Sequence, residues 1–196
     1  DPARPPTSDE PTMIMAGRKS SIFNDGDDAP LNYLGLFNSD SNGDPGVAFD
    51  TDGAKTGGNV IQLVHNLGNG LSIGGAIENL STSATGLLTG VGVIAYAGDG
   101  IKAHLSGAFD TNSQYKVHAG FTGAWDPITV VGAVSADDSG YWNALGSVSA
   151  GFDMFTLAAS GEATSSGEWG VGGSATATVS EGVTINLGGR YFLDTN

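Results

Sequence analysis

Ile101-Lys102-Ala103-His104-Leu105-Ser106-Gly107-Ala108-Phe109 carries apolar or small residues at its odd positions and polar, basic or small ones at its even positions. Successive side chains of a strand point to opposite faces, so this segment has one greasy face and one wet face. Val183-Thr184-Ile185-Asn186-Leu187-Gly188-Gly189-Arg190-Tyr191 repeats the pattern. About ten segments between residues 59 and 192 do the same, most of them roughly 8–12 residues long. A membrane-spanning strand takes about 9–11 residues. A wall between lipid and water needs one apolar and one polar face. The alternation therefore predicts an all-β chain forming an antiparallel transmembrane β-barrel.

Composition narrows the partners. The 196 residues suit one domain, 1–196, of ordinary size. Charged residues make up 14%, against about 25% in a typical soluble domain. Asp and Glu outnumber Lys and Arg by 21 to 7, which argues against nucleic acid, since phosphate binding needs basic clusters. Without Cys, neither a disulfide framework nor a thiolate metal site can form. No apolar run is long enough for a transmembrane helix, a test that strands evade. Residues 1–11 hold four of the seven prolines and are expected to be irregular. No secretory signal opens the sequence, which is expected to be a mature chain or a fragment.

Strands are predicted over 12–23, 59–66, 71–80, 87–97, 101–109, 115–125, 128–136, 142–152, 155–163, 169–179 and 183–192. Short turns fall at 67–70, 98–100, 126–127, 153–154 and 181–182, and longer polar loops near 81–86, 110–114, 137–141 and 164–168. Short turns at one end and longer loops at the other are the outer-membrane barrel pattern. The segment 24–58 falls at the long-loop end. It is acidic, with Leu31-Asn32-Tyr33-Leu34-Gly35-Leu36-Phe37 in its middle as a candidate helical turn. A loop of that length is usually functional or disordered, and the apolar cluster favours a packed, functional one.

Tyr96, Phe109, Tyr115, Trp125, Trp142, Phe152, Phe155, Trp169 and Tyr191 lie near strand ends, where two interfacial girdles would place them. Ordinary core aromatics of a soluble sheet would read the same way. Gly74, Gly75, Gly90, Gly92, Gly120, Gly172, Gly173 and Gly188 fall within strands, where glycine marks a bend or the close approach of another backbone.

Asn59-Val60-Ile61-Gln62-Leu63-Val64-His65-Asn66-Leu67-Gly68-Asn69-Gly70-Leu71-Ser72 resembles the strand–turn–strand after the constriction loop in general porins of alphaproteobacteria, the rhizobial type. Gly17-Arg18-Lys19-Ser20-Ser21-Ile22-Phe23-Asn24 resembles that family's strand running into the loop. The resemblance covers most of residues 12–192. It implies a sixteen-stranded barrel, usually trimeric, with a long loop between strands five and six folded inward to narrow the pore. With residues 12–23 as strand five, the later strands reach fifteen, so the sequence is expected to be an incomplete chain of about 11 strands. The Pro-rich start and the ending Leu193-Asp194-Thr195-Asn196 depart from the family pattern, whose chains end in an aromatic residue.

A pore gives the charges roles. Acids and bases on opposite sides of a narrow channel set a transverse field that low-dielectric walls focus. The acids are Asp25, Asp27, Asp28, Asp40, Asp44, Asp50 and Asp52 of the 24–58 loop. The lumen bases are Arg18, Lys102, His104, Lys116, His118 and Arg190; Arg18 and Lys19 alternate, so at most one lines the lumen cleanly. Simple solvated charge is the plainer reading of all of them. Asp40, Asn42, Asp44, Asp50 and Asp52 also present alternating oxygens as calcium prefers, but neither stretch continues into a full EF-hand loop, and such stretches are also turn chemistry. No other cofactor is expected. The one Gly-x-Ser-x-Gly match, Gly70-Leu71-Ser72-Ile73-Gly74, falls at a turn between two expected strands rather than at the strand-to-helix turn of a nucleophile elbow, and no enzyme is expected. The expectation is an integral outer-membrane porin of a Gram-negative bacterium, a homotrimer in lipid passing small hydrophilic solutes and ions by passive diffusion. The alternative is a soluble or surface-attached β-rich binding protein of adhesin type, which would bury its apolar face.

Overall fold

Period-two segments separated by turn residues can only pair with their sequence neighbours unless a crossover intervenes, and none does. The computed structural model describes residues 12–24, 53–80 and 88–193. Eleven strands form one sheet in sequence order, each antiparallel to the next. They are β1 (Thr12–Lys19), β2 (Gly58–Gly68), β3 (Leu71–Glu78), β4 (Thr89–Gly98), β5 (Ile101–Asp110) and β6 (Tyr115–Trp125). β7 (Ile128–Asp137), β8 (Trp142–Phe152), β9 (Phe155–Thr164), β10 (Trp169–Ser180) and β11 (Val183–Leu193) follow. The expected strands stand within two residues of these bounds, except at the end of β1.

Turn chemistry fixes the two ends of the sheet. Asn69-Gly70 and Asp99-Gly100 have φ of 51° and 80°, and 52° and 77°, the left-handed pairs of tight hairpins. At the other end, three four-residue loops share one plan. Asp110 N–H donates to Gln114 C=O, Asp137 N–H to Tyr141 C=O and Thr164 N–H to Glu168 C=O, at 2.9–3.0 Å. Asp110 Oδ1 accepts the amides of Asn112 and Gln114, and Asp137 Oδ1 those of Ser139 and Tyr141.

The two faces are chemically opposite, and the burial is the reverse of a water-soluble sheet. Ile61, Leu63, Ile73, Ile94, Leu105, Phe109, Val117, Phe121, Val148, Leu157 and Ile185 are exposed, Leu105 by 56%. Gln62, Glu78, Thr89, His104, Ser106, Lys116, His118, Ser135, Asn143 and Glu162 are buried on the other face. Apart from Phe121, near the middle of β6, the exposed aromatics fall in two groups. Phe109, Tyr115, Trp142 and Trp169 stand at the long-loop ends of their strands, and Trp125, Phe152 and Phe155 at the short-turn ends.

One region of the polar face is apolar. Val64, Val91, Val93 and Ala108 form a bed on which Ile22, Phe23 and Ala54 are buried. This corrects the strand expected over 12–23. β1 stops at Lys19, and Ile22–Asn24 is a 3-10 turn against β3, β4 and β5. Ile22 and Phe23 are adjacent and each is 1% exposed, which an alternating strand with one wet face does not allow. Gly74 is required here, because a Cβ would stand 2.7 Å from Val93 Cγ1 and 3.1 Å from Ile22 Cδ1. Gly75 and Gly92 face open space, and nothing in the described structure calls for glycine there.

Candidate functional site

The polar face gathers its chemistry where the chain from residue 20 returns onto the sheet. Parity puts Lys102, His104, Ser106 and Asp110 of β5 on that face, and the pairing sets His104 opposite Gly120, Ser106 opposite His118 and Ala108 opposite Lys116. The His104 ring lies over Gly120, where a Cβ would collide with it. The His104 and His118 rings have centroids 4.8 Å apart. His118 Nδ1 shares a 2.6 Å hydrogen bond with Ser135 Oγ of β7. The Phe23 ring closes the group from above, 5.8 Å from the His118 ring and 5.0 Å from Lys116 Nζ. Lys116 pairs directly with Asp137 in the strand register.

Not all expected bases join this group. Lys102 shares its face but is exposed at the short-turn end. Arg190 lies on β11, with its guanidinium 5.0 Å from the Phe192 ring. Arg18 pairs with Asn59, on the register face that carries Ile61 and Leu63, whereas Lys19 takes the other face. Gly17, just before this pair, has a φ of 135°, and Arg18 and Lys19 together line a hollow with Ser20, Ser21, Thr56 and Gly57. Asp25, Asp27, Asp28, Asp40, Asp44, Asp50 and Asp52 lie outside the described residues, as do Asn42, the candidate helical turn at 31–37 and residues 1–11. Among the described residues, no cluster of three or more His, Asp or Glu is placed to hold a metal.

The segments flanking the acidic stretch are described, and both lie on the polar face. Entry is at residues 20–23 and exit at 53–57. Glu78, at the end of β3, is completely buried. Its Oε1 accepts the Ile22 N–H at 3.1 Å and Gln62 Nε2 at 3.0 Å, and its Oε2 accepts the Gly57 N–H at 2.6 Å. Gln62 Nε2 also donates to Ser20 C=O at 2.8 Å. Thr89 Oγ1 donates to Lys55 C=O at 2.6 Å, and Ser106 Oγ to Phe23 C=O at 2.5 Å. Gly53 lies against the Tyr115 carbonyl and Lys116 Cβ, so the exit segment reaches β6.

Sequence reasoning missed Glu78, Gln62, Thr89 and Ser106. Glu78 falls inside the strand expected over 71–80, where a lone acid gives no local sign of distant partners. The available signal was the run Val60-Ile61-Gln62-Leu63-Val64, too apolar for a strand with one wet face. Ser135 beside His118 is a nucleophile type next to a base type, which spacing did not reveal. Both are closed off from solvent, at 1% and 3% exposure, so the pair offers no open side to a substrate.

The arrangement can bind water and small polar groups along a face of hydroxyls, amides and charges, and it fixes residues 20–23 and 53–57 against that face. Comparison with known proteins finds no matching family model, no matching curated protein and no matching solved structure.

Proposed function

We propose that the chain forms the wall of an outer-membrane porin of the alphaproteobacterial general type, a water-filled channel for passive diffusion of small hydrophilic solutes and ions. The observation that carries this reading is the inversion of the sheet: every strand from β2 to β9 buries a polar or charged side chain on one face, while large apolar side chains stand exposed on the opposite face of every strand from β2 to β11. Soluble monomers rarely expose an apolar patch larger than a few hundred Å². An adhesin-type sheet would cover such a face with a second layer, and among the described residues no element packs on it. Strands of 10–12 residues, at about 3.3 Å per residue and a tilt of about 40°, cover about 25–30 Å, enough to cross an apolar band of about 25 Å.

The edges fit a larger wall. In a sequential antiparallel sheet of eleven strands, β1 and β11 run in the same direction. A fully antiparallel barrel closes only if an odd number of further strands stands between them. The sixteen strands implied by the family resemblance satisfy this parity. Solutes would be filtered where residues 20–23 and 53–57 lie on the lumen side, with His104, Lys116 and His118 beneath them and the acidic residues between them in sequence. Homotrimer formation in outer-membrane lipid is part of the same proposal.

Conductance of the purified natural protein in a planar bilayer under a salt gradient tests this. Discrete, stable steps are expected, and the sign of the reversal potential reports which charge set dominates. Folded, inserted protein that conducts nothing would overturn the channel reading.

A further inference from the structure

We infer that Glu78 is a positioning residue, a single buried carboxylate that ties the two stretches flanking the acidic segment in sequence, residues 20–23 and 53–57, to the wall. The inference rests on the channel reading for its functional half and on geometry alone for the rest. A fully buried acid needs donors to replace its water. Glu78 has three, and two of them are backbone amides from chain stretches on either side of the acidic segment, Ile22 and Gly57. Both amides lie outside any strand, so neither has a ladder partner, and a buried amide must find an acceptor elsewhere. An ionised carboxylate suits the task because it only accepts, through two oxygens that can face different donors. Here Oε1 serves the entry and Oε2 the exit. The backbone reinforces the exit: Asn79, with φ of 54°, donates its N–H to the Gly57 carbonyl at 2.8 Å.

In a channel, this clamp sets how far residues 20–23 and 53–57 stand off the wall. It thereby sets the width left for solute, although Glu78 itself is sealed from the lumen.

Glu78→Gln is the sharpest variant. A glutamine has one oxygen and one NH2, so in either orientation the NH2 meets a donor. Keeping oxygen at the Oε1 place preserves Ile22 and Gln62 and turns the NH2 onto the Gly57 amide. Hydrogen exchange in E78Q is expected to rise at Gly57 by roughly ten- to a hundredfold, the worth of one hydrogen bond to a charged acceptor. Strand amides in β7–β10 are expected to keep their protection. Single-channel steps of E78Q are expected to be larger and more dispersed than those of the unaltered protein.

Unchanged exchange at both Ile22 and Gly57 would overturn the clamp, whether or not the protein conducts. Raised exchange with unchanged conductance in a conducting protein would overturn its link to pore width. A protein that never conducts would remove the channel reading, and exchange would still decide the clamp. If E78Q does not assemble, Gln62→Met serves instead. It removes the donors to Ser20 and Oε1, and it is expected to raise exchange at the entry while Gly57 stays protected; equal effects at both ends would count against separate roles for the two oxygens.

Discussion

Phe121→Arg is expected to abolish stable insertion into lipid vesicles, while Thr122→Arg, one residue along, leaves insertion intact. Phe121 lies near the middle of β6, on the exposed face, flanked by Ala103 and Gly132 in the register and with the Trp125 ring 6.5 Å away. An arginine on the lipid face near the bilayer midplane costs about 2–4 kcal/mol. That shifts the inserted population by roughly thirty- to several-hundredfold. Thr122 pairs with Lys102 and Val131 on the polar face, where a guanidinium would face the lumen rather than lipid. The readout is protease-resistant, vesicle-bound protein for both variants. In a soluble sandwich, Phe121→Arg would destabilise the core with no dependence on lipid. Equal insertion of the two variants would contradict the assignment of faces.

Phe23→Ala is expected to release the 3-10 turn from the sheet. Phe23 is buried with Ile22, Ala54, Val64, Val91, Val93 and Ala108. Truncating a buried Phe to Ala typically costs about 3–5 kcal/mol, from lost transfer energy and the cavity left behind. The contact of Lys116 with the ring adds a cation–π term of about 0.5–2 kcal/mol, depending on how fully it is desolvated. The bond from Ser106 Oγ to the Phe23 carbonyl uses the backbone, so the substitution does not delete it directly and it is left to oppose the release. Exchange at the Ile22 and Phe23 amides is therefore expected to rise by at least about a hundredfold. The ladders of β7–β11, which the turn does not touch, are expected to stay protected. No change at Ile22 and Phe23 would mean that the apolar bed contributes little to docking.

Local chemistry made most of the sheet legible. Period-two patterning needs no tertiary knowledge, and turn pairs such as Asn69-Gly70 and Asp99-Gly100 announce their own hairpins. The opposite faces of β5 and β6 followed from parity alone, which also placed Lys102, His104, Lys116 and His118 together on one face. What escaped depends on distant contacts. Ser20-Ser21-Ile22-Phe23 continues a strand pattern locally, yet burial of two consecutive apolar residues on the valine bed bends it into a 3-10 turn. Glu78 carried no local signal because its partners, Ile22 and Gly57, are far from it in sequence. Arg190 was grouped with bases on strands that lie far across the sheet.

The assignment of the polar face to water and the apolar face to lipid has a direct test, made easier because the chain contains no cysteine. Single cysteines introduced one at a time from Thr156 to Ser160 on β9 would be challenged in vesicles with a membrane-impermeant thiol reagent and with a lipid-soluble one. Cysteines at 156, 158 and 160 are expected to react with the impermeant reagent, and those at 157 and 159 only with the lipid-soluble one. Uniform reaction of all five with the impermeant reagent, or the alternation in the opposite phase, would contradict the account.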